Sequence, residues 1–244
     1  MVPRAQTLLH RIHRRGYETV RQIVQLPNLD LPFVRIADAD RVLDRVAEEE
    51  DRLEKVSGRR NDSDQLRLPY WAELWDSALA ISRVLCRGTW GQPVEKMSVL
   101  DVGCGMGLTG AVAARLGMNV LFADIEPDAL LFARLNSLPD ASRVRTRRLD
   151  WRKDHLGEAF DLIIGADILY ERKQWDSLEP FWREHLKPGG RLLLGEPGRQ
   201  TGDLFLDWIA ARDWQLDLTE ESVPTRQRAI RLLVLRQKTK PPRA

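Results

Sequence analysis

Residues 99–110 of the chain read VLDVGCGMGLTG, and this stretch decides the fold. It opens with an apolar run typical of a buried strand, continues with Gly103, Gly105 and Gly107, and then enters a segment of helical pattern. Glycine is needed where the backbone adopts positive φ and where a ligand contacts the main chain, because a Cβ atom would occupy the ligand's place. The stretch therefore predicts a strand, a ligand-binding loop and a helix, which together open a βαβ unit.

After residue 98, short β-branched or Leu-rich runs alternate with longer segments of helical period. The strands are predicted at residues 99–102, 120–123, 144–149, 160–165 and 192–195, and the helices at 108–116, 129–138, 175–186 and 204–212. Two further runs, 214–219 and 229–236, flank the turn-rich SVPTRQ and predict an antiparallel end to the sheet. The fold class is a doubly wound, Rossmann-like α/β domain whose seven strands are mostly parallel, with an antiparallel last strand.

The first part of the chain has a different character. We expect residues 1–66 to form an N-terminal extension and residues 67–240 to form the α/β domain. A helix is predicted at residues 40–56, a polar connector follows in SGRRNDSDQ at 57–65, and another helix is predicted at 76–85. The position and polarity of the extension suggest the hypothesis that it forms a lid or a docking element over the ligand site.

Composition narrows the class of protein. The 244 residues are 43% hydrophobic and carry 38 Lys and Arg against 36 Asp and Glu, so the net charge of +2 favours neither a dedicated nucleic-acid binder nor a membrane-surface protein. The two cysteines, Cys86 and Cys104, are too few for a disulfide framework, and no spacing typical of a metal site occurs. No signal peptide or long apolar run is evident, so we expect a soluble cytoplasmic protein without a metal, and a monomer.

Polar and aromatic side chains follow the predicted strands where each one ends. Asp124 follows the second strand in LFADIEP, Asp150 and Trp151 follow the third in LDW, and Asp167 and Tyr170 follow the fourth in GADILYE. Open α/β sheets bind ligands at these carboxyl ends, where a carboxylate after the second strand can accept both ribose hydroxyls. The carboxylate of Asp150 can accept an adenine amino group, and Trp151 offers a flat face to the ring. The set indicates a site for a nucleoside-containing methyl donor.

With these motifs the chain resembles the seven-β-strand S-adenosylmethionine-dependent methyltransferases, and more narrowly the protein lysine methyltransferases with a D-x-x-Y motif. The segment PYWAELWDSALAISRVL is similar to the Trp-containing segment before the core of that group, whose electron-transfer-flavoprotein β-subunit methyltransferases are most alike. The resemblance implies a set of cofactor-binding residues: Trp75, Asp101, Gly103, Gly105, Gly107, Asp124, Ile125, Asp150, Trp151 and Ala166. It also implies that Asp167 and Tyr170 face the substrate as catalytic residues.

The resemblance further implies S-adenosylmethionine as cofactor, S-adenosylhomocysteine as product and a protein lysine as acceptor. Asp167 would orient the lysine amine through a hydrogen bond and hold the charge of the departing proton, and Tyr170 would close the pocket. Plain structural interpretations also exist. Asp167 could cap the helix after the fourth strand, and Tyr170, Trp75 and Trp151 could serve packing alone.

Three other functions remain open from the sequence. The arginines at 143–148 and the basic segment 10–15 could meet the phosphates of RNA, although a solvated basic strand edge explains the former better. A small metabolite could replace the protein acceptor. A nicotinamide-dependent oxidoreductase would share the glycine loop, since residues 105–110 also fit G-x-G-x-x-G, but a Tyr-x-x-x-Lys site is missing. A non-catalytic binding module conflicts with the intact cofactor signature.

Overall fold

A seven-stranded sheet forms the centre of the protein, whose computed structural model describes residues 3–57, 68–88 and 92–238. Its strands are β3 (Ser98–Val102), β4 (Asn119–Asp124), β5 (Val144–Arg148), β6 (Phe160–Ala166), β7 (Leu186–Glu196), β8 (Trp214–Glu221) and β9 (Ile230–Gln237). They lie in the order β5-β4-β3-β6-β7-β9-β8, and β9 runs antiparallel to both of its neighbours while the other pairs are parallel. The predicted fold class is confirmed.

Helices cover both faces of this sheet. The core helices are α3 (Asp76–Arg87), α4 (Leu108–Arg115), α5 (Pro127–Asn136), α6 (Arg172–His185) and α7 (Gln200–Ala210). In the central strand β3, Val99 packs with α3, α4 and α5, whereas Leu100 and Val102 pack with α6 and α7. Alternate apolar side chains of β3 thus enter opposite cores, which explains why Val99, Leu100 and Val102 are all apolar although they face different sides of the sheet.

Some predicted boundaries are corrected by a few residues. The predicted helix 129–138 begins at Pro127, whose fixed φ suits the first turn, and ends at Asn136 before a short 3-10 segment, Leu138–Arg143. The strand predicted at 192–195 extends from Leu186 to Glu196, because Leu186 pairs with Phe160 of β6 and Arg191 pairs with Leu162, with KPGG at 187–190 forming the irregularity between them. Within the described residues, no helix is both long enough and apolar enough to cross a membrane.

The N-terminal extension is more structured than the sequence suggests. It forms α1 (Pro3–Arg14), the antiparallel strands β1 (Thr19–Leu26) and β2 (Leu29–Ile36), and α2 (Ala39–Ser57), of which α2 alone was predicted. Pro27 and Asn28 make the turn between β1 and β2, with Asn28 at a φ of 59°. Apart from Ser57, the predicted connector 57–65 lies outside the described residues, and so does the predicted boundary between residues 66 and 67.

The extension packs against the back of α5. Ile12 of α1 and Phe33 of β2 are fully buried in the same core as Phe132 of α5. Asn136 ties the two parts together, since its side chain accepts from Val34 N at 2.8 Å and donates to Val34 O and Met106 O, both at 2.9 Å. Met106 belongs to the glycine loop, so the hairpin supports that loop from behind.

We expect Asn136→Ala to lower the free energy of unfolding by about 2 to 4 kcal/mol, because three buried backbone groups lose their partner at once. Urea denaturation followed by circular dichroism would measure the loss. Asn119→Ala is a matched control, since the exposed Asn119 side chain gives up one bond, to Glu95 O at 2.9 Å. Equal stability of the two variants would show that Asn136 does not anchor the hairpin.

Candidate active site

A cavity of about 800 Å³ opens at the carboxyl ends of β3, β4, β5 and β6. The strand order reverses at β3, with β4 on one side and β6 on the other, so the loops after these strands diverge and leave a crevice. Its wall consists of residues 68–78 and the loops after the four strands. Among the described residues the wall begins at Leu68, and none of residues 3–57 lines it. The connector that the lid hypothesis also invokes lies mostly outside the described residues, so the hypothesis stays a prediction.

The glycine loop approaches its surroundings closely at two positions. Gly105 has a φ of 51°, and a Cβ atom there would lie 3.3 Å from the carbonyl oxygen of Trp71. Gly107 has a φ of 82° and turns the chain into α4, where a Cβ atom would lie 2.7 Å from Cα of Ala133 on α5. Gly105 therefore keeps its backbone bare beside the cavity, whereas Gly107, which also lines it, allows α4 and α5 to approach.

Asp101 supports this loop from below, and its predicted contact with the cofactor stays a prediction. Its side chain is 1% exposed, and Oδ2 accepts from Thr109 Oγ1 at 2.7 Å and from Gly110 N at 2.8 Å. Burial raises the pKa of Asp101 to about 7, against the lowering effect of these two bonds. Asp101 is not among the described residues that line the cavity, because its carboxylate is directed at the first turn of α4.

Asp124 lies at the end of β4 and lines the cavity as predicted. Its Oδ2 accepts from Gly105 N and its Oδ1 accepts from Glu126 N, both at 2.9 Å. Burial raises the pKa of Asp124 to about 6, and the two backbone donors oppose that rise. Each carboxylate oxygen can still accept a second hydrogen bond, as the two hydroxyls of a ribose would require.

The residues after β5 line the same cavity on the side predicted for adenine. The carboxylate of Asp150 accepts from Arg152 Nε at 2.8 Å and from Arg152 Nη2 at 2.7 Å, and this pairing holds its pKa below the usual value. Trp151 has a buried indole Nε1 that makes no hydrogen bond within the described part of the chain. Ile125, the residue after Asp124, also lines the cavity.

Aromatic side chains form the wall opposite the strands. The ring of Tyr70 lies edge to face with Tyr170, with centroids 5.3 Å apart, and with Trp75, at 6.3 Å. Trp75 Nε1 donates to Tyr70 O at 2.9 Å. Trp75 and Tyr170 were predicted as site residues, and both line the cavity. Tyr70 was not predicted, and its position inside the segment PYWAELWDSALAISRVL, directly before Trp71, is the sequence signal that could have indicated it.

Asp167 follows β6 at the inner end of the cavity, next to Ala166, another predicted lining residue. It has a φ of 56°, a conformation that Asp and Asn adopt more readily than most residues, and its N–H donates to Gly195 O at 2.8 Å. The carboxylate is almost fully buried and pairs with Arg199. Burial raises its pKa, while Arg199 lowers it. Since α6 is capped by Glu171, Asp167 is not a helix cap.

Tyr170 has a neutral hydroxyl at physiological pH. Burial, with smaller contributions from Glu171 and Tyr70, raises its pKa to about 12. A phenol in this state can donate and accept hydrogen bonds but does not provide a phenolate base.

The basic strand β5 offers few unengaged arginines for a nucleic acid. Arg145 pairs with Glu158 at 2.8 Å, and Arg147 and Arg148 donate to the carbonyl oxygens of His155 and Ile125 at 3.2 Å and 3.0 Å. Among the described residues there is no group of three or more His, Cys, Asp and Glu side chains arranged to hold a metal.

Comparison with known proteins agrees with this geometry. A rat electron transfer flavoprotein beta subunit lysine methyltransferase (Rattus norvegicus) is 35% identical over 139 residues, which are 54% of this chain and 51% of that protein. The protein N-lysine methyltransferase METTL21A of Danio rerio is 34% identical over 143 residues, 55% of this chain and 64% of that protein. A ubiquinone biosynthesis O-methyltransferase of Chelativorans sp. is 32% identical over 122 residues, 49% and 48% of the two chains. The chain spans less than two thirds of the length of these relatives.

Solved structures share the fold. The ribosomal protein L11 methylase from Lactobacillus delbrueckii subsp. bulgaricus superimposes with a TM-score of 0.56 at 22% identity, over 68% of this chain and 81% of that one. The N-methyltransferase NodS from Bradyrhizobium japonicum WM9, solved with S-adenosyl-l-homocysteine, gives 0.53 at 20% identity, over 66% and 84%. The family profile described as lysine methyltransferase matches residues 69–209, which include the glycine loop, Asp124, Asp167 and Tyr170. Since this match covers more than half of the 244 residues, the chain belongs to the lysine methyltransferase family.

Proposed function

We propose that the protein transfers a methyl group from S-adenosylmethionine to a lysine amine of a protein substrate. The observation that carries this proposal is the position of Asp167 and Tyr170, which meet in one cavity with the glycine loop and Asp124. The names of the relatives support a protein acceptor. We further propose that the enzyme acts in the cytoplasm, which its two free cysteines support, and that it is a monomer.

The residues of the cavity fit this cofactor. Gly105 presents bare backbone, and Asp124 retains acceptor capacity for two hydroxyls. The buried indole N–H of Trp151, the residue after Asp150, has no hydrogen-bond partner among the described residues, so an acceptor atom of a nitrogen heterocycle could bind it. The volume of about 800 Å³ lies in the upper part of the range of about 300 to 1,000 Å³ typical of ligand pockets.

The protein must select the neutral form of the acceptor. A lysine amine with a pKa near 10.4 is only about 0.1% neutral at pH 7, and burial lowers that pKa. Asp167 can accept a hydrogen bond from the amine and stabilise the positive charge as nitrogen forms its bond to carbon and later releases a proton. Tyr170 and Tyr70 enclose the amine between rings and exclude water. S-adenosylmethionine supplies an electrophilic sulfonium methyl group, so the reaction requires no metal.

A small-metabolite acceptor is the second candidate, because one relative at 32% identity is named for ubiquinone biosynthesis. The test for both is tritiated S-adenosylmethionine incubated with the protein and a lysate of cells that lack it. We expect acid-stable label in protein, recovered as methyl-lysine after hydrolysis. Asp167→Asn is the matched negative control. Label that resists protease and extracts into organic solvent would favour a metabolite, and label removed by RNase would favour RNA.

A further inference from the structure

We propose that Arg199 is a positioning residue for the methyl transfer, which holds Asp167 by one carboxylate oxygen and leaves the other for the acceptor amine. This inference rests on the proposed function. Arg199 lies after β7, 32 positions from Asp167 in the chain, in the sequence GEPGRQTGD at 195–203.

The contact between the two side chains is one-sided. Arg199 Nη1 donates to Asp167 Oδ1, whereas Asp167 Oδ2 makes no hydrogen bond within the described part of the chain. Asp167 lines the cavity and Arg199 does not, so the guanidinium reaches the carboxylate from outside the cavity wall. Its central carbon lies 5.5 Å from the centre of the Trp75 ring, a cation–π contact that places it beside a second predicted site residue.

A buried glutamate builds the turn that presents Arg199. Glu196, the last residue of β7, is 3% exposed, and its Oε2 accepts from Gly198 N at 2.9 Å and from Arg199 N at 3.2 Å. Its Oε1 pairs with Arg231 of β9. A Cβ atom at Gly202 would lie 2.2 Å from Glu196 Oε2, so a glycine is required there for the glutamate to fit. The backbone of Arg199 is therefore fixed by a buried ion pair, independently of any ligand.

The charges around Asp167 make Arg199 its principal partner. Burial raises the pKa of Asp167, Arg199 opposes this most strongly, Glu196 adds to the rise and Arg226 lowers it weakly. Arg226 Nε also lies 4.0 Å from Asp76 Oδ2 at the start of α3, so Asp76 partly compensates the charge of Arg226. Removal of Arg199 would leave a buried carboxylate with mostly unfavourable surroundings, so its pKa would rise further.

The test compares Arg199→Met, which keeps the length of the side chain, with Arg199→Lys, which keeps its charge. Activity is followed as tritium transfer to a lysate protein fraction between pH 6 and 9.5. The ionised form of Asp167 is the active one, so the rate falls below its pKa. We expect the acidic limb of the Arg199→Met profile to move to higher pH by about one to two units. Arg199→Lys should restore most of this shift.

Two further measurements separate this proposal from a loss of structure or of function. S-adenosylhomocysteine affinity should stay within twofold in both variants, and Arg21→Met, at an exposed position of β1, should behave like the parent. Carbon NMR titration of labelled aspartates, with the Asp167 signal identified by its loss in Asp167→Asn, reports the same pKa without any substrate. A parent protein that labels no lysine would refute the proposed function, yet this titration would still test Arg199. An unshifted Asp167 titration in Arg199→Met, or an unshifted acidic limb, would overturn the inference.

Discussion

Asp124→Ala is expected to weaken the binding of S-adenosylhomocysteine by about 100-fold or more. The carboxylate would hold both ribose hydroxyls, and hydrogen bonds to a charged group each contribute about 1.5 to 3 kcal/mol. The same substitution leaves Gly105 N without its acceptor at 2.9 Å, so the glycine loop loses an anchor as well. Isothermal calorimetry of the purified variant and parent measures the change directly.

The affinity of the parent for S-adenosylhomocysteine should also depend on pH, because the Asp124 carboxylate titrates. Because the pKa of Asp124 is about 6, the carboxylate is largely ionised at pH 7.5 and largely protonated at pH 5. Protonation removes an acceptor, so affinity should fall as the pH is lowered through 6. Asp207→Ala, on the exposed side of α7, is the control and should bind like the parent. If Asp124→Ala bound the ligand normally, or if the parent bound NADH alone, the cofactor assignment would be wrong.

The α/β domain could be predicted because its sequence signals are local. Apolar runs such as 120–123 are buried on both faces, so they appear as continuous strands, and the glycine loop after β3 needs residues without a Cβ atom. The polar residues that follow β4, β5 and β6 gather at one edge as a consequence of parallel topology. Asp124, Asp150 and Asp167 therefore line one cavity, as expected.

The N-terminal hairpin and the role of Asp101 could not be predicted in this way. The two strands of the hairpin contain Arg, Gln and Asp at exposed positions, and their buried side depends on packing against α5, far along the chain. Asp101 stands beside three glycines that the resemblance places at the cofactor, so the sequence favours a direct contact for Asp101 as well. Its carboxylate instead closes the turn at Thr109, which only the three-dimensional path of the loop reveals.

The role of Arg199 could not be predicted from the sequence either. Its importance depends on the turn that Glu196 organises and on the strand order that brings β7 next to β6. Neither the motif after β6 nor the glycine-containing segment after β7 indicates the pairing separately. Charge partners that are 32 positions apart become apparent only when the sheet is assembled.

Asp167→Asn is expected to lower kcat by about 100- to 1,000-fold, within the range of about 10² to 10⁴ that a positioned acid–base group contributes. Asparagine suits this position because the backbone φ of 56° is one that Asn tolerates well, so the variant should fold normally. The amide can still accept a hydrogen bond from the amine, but it carries no charge to balance the developing ammonium. Single-turnover transfer of tritium to the lysate protein fraction measures the loss.

The pH profile distinguishes a lost charge from a damaged site. Without the Asp167 carboxylate, the variant depends on acceptor amines that are already neutral, so its residual rate should keep rising with pH towards the ordinary lysine pKa near 10.4. S-adenosylhomocysteine should bind within twofold of the parent, because the variant retains Asp124 and the glycine loop. Asp207→Asn makes the same chemical change on an exposed face of α7 and should leave the rate unaltered. A variant at Asp167 with the parent's kcat would show that the amine is oriented by other groups, of which the Tyr170 hydroxyl lining the same cavity is the nearest alternative on this loop.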